Sequence, residues 1–249
     1  MKYMGSKARI AKFILPIILK DRKEGQWYVE PFVGGANMID KVDGNRIGCD
    51  LNKPLIACLD AMSKKWLPIK DVSESFFNEV KADNSIVDLP TLGYIGTQLT
   101  FGAMWFSGYR KDKQGVRNYS DEAFRHVEKQ APKLYGVKFE SKSYSDLTIP
   151  PQSIIYCDPP YAGTAKYKAV DDFNHEDFWQ WCRDKVNEGH QVFISEYNAP
   201  DDFECIWSKE IHSGLNVNTT KKGVEKLFVH STQLTSSEIR ALRRKNRED

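Results

Sequence analysis

No run of eighteen or more apolar residues occurs in this sequence, so no transmembrane helix is expected. The apolar stretch near the start, residues 10–19, has basic flanks. It is interrupted by Pro16, runs into Lys20-Asp21-Arg22-Lys23 and lacks an A-x-A-like cleavage site, so it reads as a helix of the fold and not as a signal peptide. Cysteine is scarce and ill-suited to pairing. Cys49, Cys58, Cys157, Cys182 and Cys205 make an odd set with no C-x-x-C, which argues against a disulfide framework and a zinc site and for free buried thiols in a reducing cytoplasm. An excess of one charge is also missing. Lys and Arg number 36 against 34 Asp and Glu, a net charge of +2, so the total announces no polyanionic partner and only the distribution is informative. Internal repeats and low-complexity segments are absent as well.

What is there is an α/β rhythm. The 249 residues suit one large domain, or a core domain carrying a smaller insert. The spacing predicts a helix over about 8–19, a strand over 27–30, a glycine turn, a helix near 37–41, a strand over 46–49 ending at Asp50, and a helix over about 52–65. Strand, glycine turn, helix, strand and acid is the opening of a βαβ unit with a parallel sheet. From about 65 to 136 strand-like runs give way to helical periods over 73–80, 92–106 and 121–131, which marks an insert with a different job. Strands are expected again over 137–140, 153–157 and 191–195, with a helix over 175–187, and 206–211 and 225–230 read as late antiparallel strands.

Three segments carry chemistry. Asp158-Pro159-Pro160-Tyr161 ends the continuous apolar run Ser153-Ile154-Ile155-Tyr156-Cys157, at the strand end where ligands of open α/β sheets bind. Two prolines stiffen the backbone and supply no N–H donors, leaving their carbonyls free to accept. One carboxylate, rigid carbonyls and an aromatic face suit a planar base bearing an exocyclic amine; the plain alternative is a strand-ending turn. Glu30-Pro31-Phe32-Val33-Gly34-Gly35-Ala36 follows a strand with two glycines that let a ligand approach the backbone. Asp50, ending the next strand, suits the hydroxyls of a ribose. No G-x-x-x-x-G-K-[ST] loop is present, so a nucleoside without phosphates fits better than ATP or NAD. Tyr3-Met4-Gly5-Ser6-Lys7 is uninformative by itself.

Taken in order, Tyr3-Met4-Gly5-Ser6-Lys7, Glu30-Pro31-Phe32-Val33-Gly34-Gly35, Cys49-Asp50-Leu51-Asn52 and Asp158-Pro159-Pro160-Tyr161 resemble the motifs of the Dam-type (D12 class) adenine-N6 DNA methyltransferases, in the order that places cofactor motifs before the recognition insert and the catalytic motif. The resemblance implies a Rossmann-like, mostly parallel seven-stranded sheet with a small, mainly helical target-recognition insert. It implies a catalytic domain over 1–64 and 136–249 and a DNA-binding insert over 65–135. It implies S-adenosylmethionine as cofactor, held by Tyr3, Gly5, Ser6, Lys7, Glu30, Pro31, Phe32, Gly34, Gly35, Asp50, Leu51, Asn52 and Asp158, with no metal. Asp158, Pro159, Pro160 and Tyr161 would hold the target adenine, flipped from the duplex. Where relatives carry Asp-Phe or Asp-Tyr after the strand at 137–140, this chain has Lys142-Ser143-Tyr144-Ser145-Asp146. Tyr144 fits the aromatic position, and Ser143, or Asp146 in another register, would hold the cofactor's adenine. Ser195-Glu196-Tyr197-Asn198 is read either as a wall of the adenine pocket or as a strand-end turn.

The loop over 105–119 interleaves basic and aromatic residues, and Tyr109, Arg110, Lys111, Lys113, Arg117, Asn118 and Tyr119 are its expected DNA contacts, Arg110 and Arg117 foremost. Lys221 and Lys222 are weaker candidates, and the basic run Arg240–Arg247 reads first as a solvated face or tail. The partner expected is double-stranded DNA, met as a monomer or as a dimer on DNA, in the cytoplasm of a bacterium or in a phage or mobile-element setting such as restriction-modification. Two rivals stay open: an RNA methyltransferase (adenine-N6 or guanine-N2) and a catalytically silent DNA-binding homologue.

Overall fold

The computed structural model describes residues 1–112, 114–161, 173–212 and 222–245, with the side chains of 211, 212, 222 and 245 left aside. The chain divides into two compact units, one of residues 1–15 and 24–148, the other of 16–23 and 149–249. The first helix, α1 (Ala11–Ile18), has Pro16 inside it and spans the first passage between them.

In the first unit, β1 (Tyr28–Glu30) is buried along its whole length and pairs in parallel with β2 (Arg46–Asp50), Val29 opposite Ile47. Gly48 of β2 faces β3 (Lys138–Ser141), also parallel, and a Cβ there would lie 2.8 Å from the Phe139 ring. The order in this unit is therefore β3-β2-β1. After β2 the Asn52 side chain accepts a hydrogen bond from the Leu55 N–H at 3.1 Å and caps α2 (Lys53–Ser63), whose Leu55, Ile56, Cys58, Leu59 and Met62 are buried. The expected helix at 37–41 is shorter, a 3-10 turn at Ile39–Lys41.

The stretch 65–135 is mainly helical, as its periodicity predicts, with α3 (Glu74–Ala82), α4 (Leu89–Gln98) and α5 (Tyr119–Gln130) capped by Ser73, Asp88 and Asn118. It is packed within the first unit. The approach of α4 to α2 is so close that a Cβ on Gly93 would sit 2.0 Å from the Pro54 carbonyl oxygen. The helix expected over 92–106 stops at Gln98. Gly102 and Ala103 adopt left-handed backbone, φ 69° and 57°, and the chain turns back so that Thr100 pairs with Tyr109, Phe101 N–H donates to Gly108 O and Arg110 N–H donates to Leu99 O. Apolar spacing here reports a tight turn with two burying flanks, which one-dimensional periodicity does not separate from helix.

In the second unit, β4 (Ile154–Cys157) is buried at every residue and pairs in parallel with β5 (Gln191–Glu196). The helix α6 (His175–Asn187), capped by Asn174, buries Phe178, Trp179 and Cys182. Then comes a long antiparallel ribbon, β6 (Phe203–His212) and β7 (Lys222–His230), with an irregularity between Cys205 and Trp207. β7 also pairs antiparallel with β5, so the order is β4-β5-β7-β6. Seven strands with flanking helices match the expected architecture, and β7 runs against both neighbours, as expected of the late strands, so the sheet is mixed and only in part the mostly parallel one that the resemblance implies. β6 and β7 are consecutive in sequence, and antiparallel neighbours need no crossover, whereas parallel pairs do. The chain closes with α7 (Ser236–Lys245), where Arg243 of the basic run is paired with Glu204 at 2.5 Å. All five cysteines are free thiols, four of them buried and Cys205 half-buried. Among the described residues no helix is long and apolar enough to cross a membrane.

Replacing Gly93 by Ala is expected to destabilise the fold by about 1–3 kcal/mol, since the new methyl meets backbone and not a yielding side chain. Thermal or urea unfolding measures it; an unchanged midpoint would show that α2 and α4 separate without cost.

Candidate cofactor and base sites

The first unit gathers most of the residues expected to hold a cofactor. Asp50, at the tip of β2, accepts from the Gly34 N–H at 3.1 Å through Oδ2 and from the Asn52 N–H at 2.9 Å through Oδ1. Burial pushes its carboxyl above the ordinary value, against the pull of backbone donors from Asn52, Gly34 and Leu51. Gly34 has φ 47°, which favours glycine, and the Tyr3 side chain lies directly on the turn. A Cβ on Gly34 would meet Tyr3 Cε1 at 2.6 Å, and one on Gly35 would meet Tyr3 Cβ at 2.6 Å and Asn37 Nδ2 at 2.9 Å. The Val33 N–H donates to the Cys49 carbonyl at 2.8 Å, tying the turn to β2 a second time.

Gly5 takes φ 76°, Ser6 caps the 3-10 turn Lys7–Arg9 by accepting from the Ala8 N–H, and Lys7 is buried with Nζ donating to the Gly5 carbonyl at 3.4 Å. Glu30 is buried and accepts from the Tyr28 hydroxyl at 2.9 Å. Pro31 begins the turn, and Leu51 leaves 66% of its surface exposed beside Asp50. Phe32 and Tyr144 meet with ring centroids 5.2 Å apart, so two aromatics far apart in sequence share one place. Ser143 spends its hydroxyl locally, accepting from the Ser145 hydroxyl at 2.8 Å and capping the turn Tyr144–Asp146; Asp146 is exposed.

Sequence reasoning missed three amides here. Gln130 Nε2, at the end of α5, donates to the carbonyls of Gly35 and Ala36 and to Asp40 Oδ2, each at 3.1 Å, while its Oε1 accepts from Met1 N at 2.5 Å. Gln98, at the end of α4, pairs with the Lys2 backbone through two bonds of 2.9 Å. The insert therefore holds both the Gly34-Gly35 turn and the start of the segment that Tyr3 lays over it. Asn37 Nδ2 is buried with no hydrogen-bond partner among the described residues. No local signal announces these residues, because the Gln130 and Gln98 contacts span more than ninety positions.

The second unit carries the proposed base site. Asp158, Pro159, Pro160 and Tyr161 leave the tip of buried β4, as the apolar run predicts. Pro159 is buried; Asp158, Pro160 and Tyr161 are half-buried. The Tyr161 hydroxyl donates to Glu225 Oε2 of β7 at 2.8 Å, and its ring stands edge-on to Tyr197 with centroids 4.6 Å apart. Burial first, then the negative charges of Asp158 and Glu225, push the Tyr161 phenol well above its ordinary value, so it stays a donor. Behind it the Tyr156 hydroxyl bonds Ser195 at 2.8 Å, and Glu196 is buried, accepting from the Tyr197 N–H. The segment Ser195-Glu196-Tyr197-Asn198 thus supplies a wall for Tyr161, and β7 contributes Glu225, which sequence analysis did not name.

In the basic loop, Glu122 of α5 gathers the cations. Lys2 Nζ lies at 2.9 Å, Arg110 Nη2 at 3.1 Å, and Arg117 pairs with the other carboxylate oxygen. Arg110 also lies over the Tyr119 ring, 3.8 Å from its centroid. The Tyr109 hydroxyl donates to Val72 O at 2.6 Å, Lys111 pairs with Glu74 at 2.8 Å, and Asn118 caps α5. Lys113 and Lys221 lie outside the described residues, as do Asn246 and Arg247; Lys222 is described as backbone alone. The most exposed apolar residues of the insert's turn are Phe101 at 73%, Trp105 at 42% and Met104 at 41%.

A family model described as D12 class N6 adenine-specific DNA methyltransferase matches residues 3–87 and 103–221. No curated protein matches the chain. Among solved structures, SMU.472, described as a methyltransferase complexed with SAH, aligns at 12% identity with a TM-score of 0.37, over 93% of this chain and 55% of that one. The chain thus spans about half the length of that structure, and a likeness so distant carries no argument.

The Glu122 carboxyl is held at about 2: burial alone would raise it, but hydrogen bonds from Lys2 and Arg117 and the charges of Lys2 and Arg110 outweigh burial. A carboxyl depressed in the folded state stabilises the fold above its ordinary value of 4.5 and loses that contribution as pH falls toward about 2. Glu122→Gln is therefore expected to lower the melting temperature near neutral pH, the gap closing as pH drops through that window. Circular-dichroism melts of both proteins across pH decide it, and identical curves near neutrality would dismiss the network as a stabiliser.

Proposed function

Because this chain belongs to the D12 class N6 adenine-specific DNA methyltransferases, we propose that it methylates N6 of an adenine in duplex DNA, with S-adenosylmethionine as methyl donor. The observation that carries the reading is the proline-stiffened corner Asp158-Pro159-Pro160-Tyr161 at the tip of a fully buried strand, its aromatic ring held by Tyr197 and Glu225.

The residues of the first unit fit the cofactor. Asp50 offers a carboxylate where a ribose is ordinarily held, the Gly34-Gly35 turn allows close backbone approach, and the buried Asn37 amide is a donor awaiting an acceptor. Tyr3, Gly5, Ser6, Lys7, Glu30, Pro31, Phe32, Leu51, Asn52 and Tyr144 complete the proposed binding set, to which the family resemblance adds Asp158. Ser143 is the weaker candidate for the cofactor's adenine, since its hydroxyl already accepts from Ser145. When bound, S-adenosylmethionine supplies an electrophilic methyl on a sulfonium.

The rest falls to the chain's own groups. The adenine N6 lone pair is delocalised into the ring, so the first need is acceptors and not a strong base. Asp158 and the Pro159 carbonyl accept the two N6 hydrogens, drawing the nitrogen toward tetrahedral geometry and localising its lone pair. Acceptors fixed in advance stabilise the positive charge that develops there, and holding both reactants in register supplies a further part of the rate. Tyr161 stacks on the base, its hydroxyl anchored to Glu225 so that the ring is already oriented. Flipping a base from the duplex costs a few kcal/mol, and stacking of about 1–3 kcal/mol offsets part of it.

We assign DNA contact to the insert, residues 65–135, with 1–64 and 136–249 as the catalytic domain. Phosphates would exchange with Glu122 for Arg110 and Arg117, joined by Tyr109, Lys111, Lys113, Asn118 and Tyr119, and Phe101 on its exposed turn is placed to fill a vacated stack. The enzyme acts as a monomer or as a dimer on its DNA, in a bacterial, phage or mobile-element setting.

Tritium transfer from labelled S-adenosylmethionine is expected to duplex DNA and not to structured RNA; label in RNA alone would overturn the DNA reading. Asp158→Ala is expected to cut transfer by at least a thousandfold, on the order of what loss of a charge-stabilising group costs, while S-adenosylhomocysteine still binds in calorimetry. A variant that methylates at the normal rate would remove Asp158 from the chemistry.

A further inference from the structure

The Asn37 amide nitrogen is buried, yet no acceptor meets it among the described residues. A buried donor without a partner costs free energy, and native structures leave few of them. Such a group in a ligand-free site is accounted for if the ligand brings the acceptor. Its position narrows the choice of ligand atom. Nδ2 lies 2.9 Å from where a Cβ on Gly35 would stand, beside the Tyr3 side chain, at the turn after β1. The ribose acceptor, Asp50, sits at the tip of the neighbouring strand and already draws on the Gly34 N–H. The Gly35 and Ala36 carbonyls are taken by Gln130, and the Asn37 carbonyl accepts from Lys41 Nζ at 2.5 Å, so these three oxygens are committed while the Asn37 side-chain donor is not. An open donor suits an acceptor, and with the ribose hydroxyls assigned to Asp50 the strongest acceptor left on a sulfonium nucleoside cofactor is the carboxylate of its amino-acid tail.

We propose that Asn37 is a cofactor-binding residue whose side-chain N–H donates to that carboxylate. This rests on the reading of the first unit as the cofactor site. The hydrogen bond fixes the amino-acid end of the cofactor while Asp50 fixes the ribose, which sets the position of the sulfonium between two anchors.

Isothermal titration calorimetry with the full chain and two ligands tests it. S-adenosylhomocysteine carries the tail carboxylate; 5′-methylthioadenosine keeps the adenosine and sulfur but lacks the amino-acid tail. Asn37→Ala is expected to weaken S-adenosylhomocysteine about tenfold or more, the scale of a hydrogen bond to a charged group, and to leave methylthioadenosine within about twofold. Asn37→Asp, which keeps the shape and replaces the donor with a negative charge, is expected to weaken S-adenosylhomocysteine further with the same indifference to methylthioadenosine; it also carries the test if the alanine variant does not fold. Equal affinity of wild type and variants for S-adenosylhomocysteine, or an equal loss for both ligands, overturns the role assigned to Asn37. Failure of the wild-type chain to bind S-adenosylhomocysteine would strike the cofactor reading itself.

Discussion

The hydrogen bond from the Gly34 N–H to the Asp50 carboxylate is the contact on which the first unit's site depends. It joins the turn after β1 to the tip of β2, and it does so with a carboxylate that burial makes costly to keep charged. Three backbone donors offset part of that cost, and the acid is held in one orientation by the very turn it positions. Gly34 can offer its N–H in this geometry because its backbone is left-handed, and because a side chain there would collide with Tyr3. A turn that must carry a ligand against bare backbone cannot also carry side chains, which is why the aromatic cover comes from Tyr3, a distant part of the chain.

The insert does two things at once. Its helices end on amides: Gln98 grips the Lys2 backbone, and Gln130 grips the carbonyls of Gly35 and Ala36. Its other surface presents Arg110 and Arg117, both drawn to Glu122 along with Lys2. One carboxylate thus ties the N-terminal segment that reaches the Gly34-Gly35 turn to the arginines proposed to meet DNA. Surface ion pairs taken singly contribute little, but three cations on one half-buried carboxylate form a network, and the depressed Glu122 carboxyl is its signature. α5 thus holds the Gly34-Gly35 turn at its C-terminal end and the arginines of the basic loop near its N-terminal end.

In the second unit, rigidity comes from chemistry of a different kind. The corner at Asp158–Tyr161 is stiff because prolines fix φ, and Tyr161 is stiff because Tyr197 and Glu225 hold ring and hydroxyl. Preorganised acceptors need no rearrangement as charge develops, which is the advantage of a proline corner over a flexible loop.

The local motifs were legible in the sequence because each is a backbone requirement written in residue type. Glycines mark the left-handed turn, paired prolines the stiff corner, a continuous apolar run the strand buried on both faces, and Asn52 a helix start. Periodicity also placed β2, β4, β5 and α6 to within a residue or so. It failed at 92–106, where apolar spacing came from a glycine-centred reversal, and, although it marked the late strands as antiparallel, it did not say that β7 lies between β5 and β6, which depends on which neighbour a strand finds. Only the tertiary structure decided that Tyr3 lies on Gly34, that Phe32 meets Tyr144, that Glu225 anchors Tyr161, and that Gln98 and Gln130 reach the Lys2 backbone and the Gly35 and Ala36 carbonyls. Side-chain partners separated by about a hundred positions are chosen by packing geometry, and a single sequence records which hydrogen-bonding groups a residue carries but not which partner the fold brings within 3 Å of it.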